Sequence, residues 1–222
     1  MSYRAVILDI DGVATPFKSA WQRLHAVLGI DAELNKRLYR VGLIDYYEWA
    51  LYDVLLWHGA SRRVVEAYFR PTAGFDTLCK TLREAPVYAI ALSAGVGYTR
   101  RLSHCFDFYV VNDLIYREGA VASVAVSTSD KNKDVIADAV LDLLGVRWEE
   151  AIAVGDGEAD LPILKRAGYS IAFNPLGEEV ARAAKAVIRA ETLHPLVKYL
   201  KTLLYPQVMT TPMLRNDKAV PD

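Results

Sequence analysis

Apolar residues follow two rhythms along this chain. Short continuous runs at 5–8, 87–92, 106–111, 151–154 and 169–173 match strands buried on both faces, as in parallel sheets. Elsewhere the apolar positions recur at helical spacing. Ala20, Trp21, Leu24, Val27 and Leu28 predict a helix that stops at Gly29. Asp31 is placed to cap a second helix carrying Leu34, Leu38 and Val41, stopped at Gly42. Asp45 with Glu48 three residues on predicts a capping box, opening a run from Trp49 to Trp57 that ends at Gly59. Ser61 is the expected cap of a fourth helix through Val64, Val65, Tyr68 and Phe69, closed by Pro71. Four helices without an intervening strand predict a small helical insert at 14–72, set between the first and second strands.

From residue 73 the strand and helix patterns alternate. Helices are expected at 75–84, 98–105 and 134–144, at a segment with Pro162 in its first turn, between 173 and 186, and at 193–204. Residues 114–117 and 120–127 alternate around Glu118-Gly119, which predicts a β-hairpin, and 186–188 is a further short strand. The fold class this order predicts is α/β, a doubly wound parallel (Rossmann-like) sheet. Its core is assigned to 1–13 and 73–205. The tail at 206–222 lacks periodicity and is expected to be mobile or partner-dependent.

Composition removes several function classes. Hydrophobic residues make up 53% of the 222 positions, enough for a full core. A formal net charge of −1 with interspersed signs argues against nucleic-acid and membrane-surface partners. No apolar run reaches the roughly 18 residues of a membrane span, and the N-terminus lacks a signal-peptide pattern. Cys79 and Cys105 lie in apolar segments and are expected to be buried free thiols in a reducing cytosol. The expected localisation is therefore cytoplasmic.

The chemistry begins where the first apolar run stops, at Asp9-Ile10-Asp11-Gly12. Strand periodicity puts Asp9 and Asp11 on one side. Two carboxylates about 4 Å apart repel by roughly 4 kcal/mol at an effective dielectric of 20. They must share a proton or a cation, or splay into water as an ordinary Asp-Gly turn. In a parallel sheet, ligands bind at the carboxyl ends of the strands. That rule gathers Asp9 and Asp11, Ser93-Ala94-Gly95 and Gly155-Asp156 at one place. Converging carboxylates without a His/Cys cluster at zinc spacing point to a hard cation, with Mg²⁺ the best fit. Ser93 and the backbone N–H groups after it suit a phosphate oxygen, or Ser93 simply caps a helix. Lys131 and Lys133 open a helix whose dipole they oppose by roughly 0.3–1 kcal/mol, so they answer an anionic site or are solvated surface charges. Asp160 is either an N-cap of the Pro162 helix or a support of the site. No dinucleotide fingerprint or Walker-type loop occurs.

Taken together, Asp9-Ile10-Asp11-Gly12-Val13, Leu92-Ser93-Ala94-Gly95, a lysine opening a helix, and Gly155-Asp156-Gly157-Glu158-Ala159-Asp160 resemble the haloacid dehalogenase superfamily in order and spacing. The resemblance spans most of 1–190 and is strongest to its phosphoserine phosphatase-like branch. It implies that Asp9 is the nucleophile forming an aspartyl-phosphate and Asp11 the general acid/base. Ser93 and the Ala94 N–H would bind phosphate together with Lys133, chosen over Lys131 by its spacing from Gly145. Mg²⁺ would be held by Asp9, the Asp11 carbonyl and Asp156, with Asp160 supporting through water. The insert would be a helical cap over the site, and the substrate a small phosphate ester. The branch's acidic residue after the first motif and its cap arginine have no counterpart here. Lys18 stands in the first region, and 45–59 contains neither Arg nor Lys. Phosphoserine is therefore not the expected substrate. A phosphomutase with the same intermediate and a catalytically silent binding module are the alternatives.

Overall fold

The computed structural model describes residues 2–206, so the tail expectation lies almost wholly outside the described residues. Strand β1 (Ala5–Leu8) is central, and all four of its residues are fully buried. Among the described residues it belongs to one seven-stranded sheet in the order β4-β3-β2-β1-β5-β6-β7. The other strands are β2 (Tyr88–Val96), β3 (Phe108–Arg117), β4 (Ala120–Ala125), β5 (Ala151–Gly155), β6 (Tyr169–Phe173) and β7 (Ala186–Ile188). Every pairing is parallel except the β3–β4 hairpin. The two runs expected at 106–111 and 114–117 are one strand, because the residues between them, Asn112 and Asp113, stay in the ladder.

Pleating sends alternate β1 residues to opposite faces, and each face has its own core. Val6 and Leu8 pack with residues of α5 (Phe75–Glu84) and α9 (His194–Leu204). Ala5 and Ile7 pack with residues of α6 (Lys133–Leu144) and α7 (Leu161–Arg166). Helix α8 (Glu178–Ala183) completes the second layer through Val180. The chain runs outward from β1 through β2, β3 and β4, then returns to β5 on the other side of β1. That reversal leaves a crevice at the carboxyl ends of β1 and its neighbours.

Residues 14–72 hold α1 (Ala20–Leu28), α2 (Glu33–Arg40), α3 (Tyr46–Leu56) and α4 (Arg62–Ala67). The capping box at Asp45 and Glu48 is present, and Gly29 ends α1 in the left-handed conformation. Ser61 precedes α4 but makes no side-chain cap bond. Helix α2 also differs from expectation: Leu34 and Val41 are exposed, and α2 attaches through Tyr39, stacked on Trp49 at 4.8 Å. A half-buried polar chain joins α1, α2 and α3. Trp57 Nε1 donates to His25 Nδ1 (3.0 Å), His25 Nε2 meets Asp53 Oδ2 (3.0 Å), and Asn35 Nδ2 donates to Asp53 Oδ1 (2.9 Å). The third core unites these helices with the hairpin, through Trp21, Leu24, Val54 and Trp57 against Leu114 and Val121. Among the described residues no helix is long and apolar enough to cross a membrane.

The expected free thiols are corrected. Cys79 on α5 and Cys105, at the end of the 3₁₀ segment Gly97–Cys105, form a disulfide with their Cα atoms 5.0 Å apart. The spacing of the two cysteines in sequence gave no sign of this, because it is the packing of α5 against that segment that brings them together. The cysteines therefore no longer argue for a reducing compartment. Closing a loop of this length removes entropy from the unfolded chain worth about 3.5 kcal/mol. Urea denaturation with and without reductant checks this: Cys79→Ser should lose about that stability and become insensitive to reductant.

Candidate active site

The crevice collects every polar residue singled out at the strand ends. Asp9 follows β1 and is nearly buried, its N–H bonded to the Val154 carbonyl (2.9 Å). Its Oδ1 accepts the Ile10 N–H (2.8 Å) and the Lys133 ammonium (3.0 Å), which fixes the orientation of the carboxylate. The Ser93 hydroxyl accepts the Gly95 N–H (3.3 Å). Ser93 is not a helix cap, since the next helical segment starts only after Val96.

Lys133, the first residue of α6, is buried between Asp9 and Asp160, with Asp160 Oδ1 at 2.7 Å. Burial opposes its charge, but the pull of Asp160 and Asp9 outweighs that and raises its pKa. Lys131 instead lies over the Tyr39 ring, 5.2 Å from its centroid. The geometry thus separates the two lysines. Asp160 Oδ2 accepts the N–H groups of both Asp156 and Gly157 (3.0 Å each). Its side chain makes no cap bond to the Pro162 helix. Asp160 therefore braces the Asp156 turn and holds Lys133.

Asp11 and Asp156 complete the group. Asp11 Oδ2 accepts the Ala20 N–H at the start of α1 (2.6 Å), while its Oδ1 is buried without a partner. Asp156 lies against Gly12, where φ is +76° and a Cβ would collide with the carboxylate. That close approach, together with the left-handed backbone, is why a glycine follows Asp11. Burial first, then the negative charge of Asp9, pushes the Asp11 and Asp156 carboxyls up to about 7. Burial and the Asp160 charge push Asp9 up to about 6.

One oxygen each from Asp9, Asp156 and Asp160 lies within 4.8 Å of the others. An all-oxygen, strongly negative donor set with an orphaned buried oxygen beside it fits a hard divalent cation such as Mg²⁺. Asp160 is the weakest donor of the set, since both its oxygens are already engaged.

Sequence reasoning missed two features. Lys18 bonds Asp156 Oδ2 (3.1 Å) and the Asn174 carbonyl (3.2 Å), so it enters the site as a counter-charge. The Ala94 carbonyl accepts from Trp21, Tyr46 and Asn112. Asn112, which with Asp113 interrupts an apolar strand run, was the available signal.

Several known proteins are similar to this chain. The chain is 28% identical over 211 residues to a phosphoserine phosphatase of Archaeoglobus fulgidus, covering 89% of this chain and 60% of that protein. It is 35% identical over 123 residues to a phosphoglycolate phosphatase of Methanopyrus kandleri, covering 55% and 47%. The matched stretches span less than two thirds of the length of these curated relatives. A solved phospho-aspartyl intermediate analogue of phosphoserine phosphatase shares the fold, with a TM-score of 0.71, 20% identity, and coverage of 90% of this chain and 99% of that one. The family model for haloacid dehalogenase-like hydrolases matches residues 3–168, well over half of the chain, and the protein belongs to that family.

Proposed function

We propose that the protein is a magnesium-dependent phosphomonoester hydrolase acting on a small phosphorylated metabolite through an aspartyl-phosphate on Asp9. The observation that carries this reading is the pairing of two differently held carboxylates. Asp9 is oriented by Lys133, and Asp11, two residues on, has its carboxyl raised to about 7. A general acid/base works best with a pKa near the operating pH, and a nucleophile needs a fixed orientation.

In the first step an Asp9 oxygen bonds to phosphorus as the bond to the leaving oxygen breaks, and Asp11 gives that oxygen its proton. In the second step Asp11 takes a proton from water, the water oxygen bonds to phosphorus, and the Asp9 carboxylate is released. Lys133 offsets negative charge on Asp9 throughout, while Ser93 and the Ala94 N–H hold the phosphoryl oxygens. Mg²⁺ bound by Asp9, Asp156 and the Asp11 carbonyl would supply further charge neutralisation on the phosphoryl group.

The helices at 14–72 are the proposed cap, joined to the core at the Asp11–Ala20 hydrogen bond. A cavity of about 290 Å³ lies between α1, α2 and α3, lined in part by Trp21, Lys36 and Trp49. Helix α3 offers no cation for an amino-acid carboxylate. In a substrate panel, phosphoserine should have no advantage in kcat/KM over sugar phosphates or aryl phosphates; a clear preference for it would overturn the assignment.

Asp9→Asn should cut release of phosphate from p-nitrophenyl phosphate by about a thousandfold or more while the protein stays folded. Activity surviving that change would remove Asp9 as the nucleophile. The raised carboxyls also set the pH response of stability. Asp9, Asp11 and Asp156 bind protons more tightly folded than unfolded, so their contribution is full below about pH 4 and is lost as pH rises through 6 to 7. In EDTA the melting temperature should therefore fall from pH 5 to pH 8. Added MgCl₂ should raise it most at pH 8, and Asp156→Asn should shrink that increment.

A further inference from the structure

Strands β2 and β3 stay in register from Ile90–Phe108 to Ser93–Val111 and then slip, so that the next pair is Val96–Asn112. Ala94 and Gly95 are extra residues in β2 and form a bulge at the mouth of the site. Bulges re-aim backbone groups and leave them without ladder partners. A carbonyl in that position needs a donor from elsewhere. The Ala94 carbonyl has three: Tyr46 Oη at 2.7 Å, Trp21 Nε1 at 2.9 Å and Asn112 Nδ2 at 3.0 Å. A carbonyl oxygen has two lone pairs, so three donors saturate it.

These donors come from α3, α1 and β3, so the insert and the sheet grip the same atom. Asn112 is fully buried and has no capacity to spare. Its Nδ2 also reaches Tyr46 Oη (3.2 Å), and its Oδ1 accepts the N–H groups of Ser127 (2.8 Å) and Thr128 (2.9 Å). Those two residues lead toward Lys133, which holds Asp9. The bulge also presses on Asp11: a Cβ on Gly95 would stand 2.6 Å from Asp11 Oδ2.

We propose that Tyr46 is a positioning residue of the phosphate-binding bulge. With Trp21 and Asn112 it pins the Ala94 carbonyl and so aims the Ser93 hydroxyl and the bulge N–H groups at the phosphoryl group. The inference rests on the phosphomonoesterase reading above. Donors on the Ala94 oxygen polarise the Ala94–Gly95 peptide and strengthen the Gly95 N–H as a donor. The long bond of that N–H to Ser93 Oγ (3.3 Å) is easily exchanged for one to an anion. The bulge is thus in its working geometry only while α1 and α3 are seated on it. Tyr46 is the partner to test, because its hydroxyl is removable without disturbing the packed ring.

The experiment compares the full-length wild-type protein with Tyr46→Phe, Trp21→Phe and the double variant. It uses p-nitrophenyl phosphate turnover, inhibition by orthovanadate, calorimetric binding of inorganic phosphate, and melting temperature. Tyr46→Phe should lower kcat about tenfold, the loss typical of removing a group that orients a ligand-holding partner. KM should stay within about twofold. Orthovanadate inhibition should weaken by a similar factor to kcat, with the melting temperature little changed. The double variant should lose less than the product of the single losses, because both donors act on one oxygen. Wild-type kcat and orthovanadate inhibition in Tyr46→Phe would overturn the proposal, as would losses matched by a fall in melting temperature. Wild-type protein inactive on every phosphoester would overturn the phosphatase reading instead. In that case equal phosphate binding by wild type and Tyr46→Phe would dispose of the positioning role separately.

Discussion

Mutual repulsion among four buried carboxylates is the constraint around which this molecule is built. Asp9, Asp11, Asp156 and Asp160 are all at most 8% exposed, and among the described residues the cations that contact any of them are Lys133 and Lys18. The excess negative charge is large by any reasonable dielectric. The protein tolerates it by dividing the labour. Asp160 is neutralised by Lys133 and two N–H groups, while Asp11 and Asp156 hold their protons up to about pH 7. A site so arranged is unfavourable when empty of cations and favourable once one is bound, which is the condition for binding a divalent ion and an anionic substrate together.

The parallel sheet makes this concentration of charge possible. The inner strands are apolar on both faces, so the folding free energy comes from the two cores flanking β1 and leaves the strand ends free for polar residues. Each acid leaves the sheet just beyond a buried strand, with Gly12 allowing the Asp156 carboxylate to approach the backbone. The site costs stability locally, and the apolar layers beneath it offset that cost.

The helices at 14–72 belong to the same system. Their aromatic core continues into the β3–β4 hairpin, and two members of that cluster, Trp21 and Tyr46, hydrogen-bond the bulge at the mouth of the site. Packing of the insert and geometry of the site are therefore coupled through one carbonyl oxygen. Lys18 on Asp156 alters the charge of the site as well as its shape.

Local sequence determined those features whose cause is local. Continuous apolar runs made β1, β2 and β5, helical spacing with Gly29 and Gly145 bounded α1 and α6, and the Asp45–Glu48 box opened α3, because each depends on neighbours a few residues away. The site acids were legible too, since the ends of parallel strands meet by rule. Only the tertiary structure decided that Cys79 meets Cys105, and that Tyr46 and Trp21 share the Ala94 oxygen. Those contacts join residues dozens of positions apart, and their distances are set by how helices seat on the sheet, a sum over packing that no local pattern encodes.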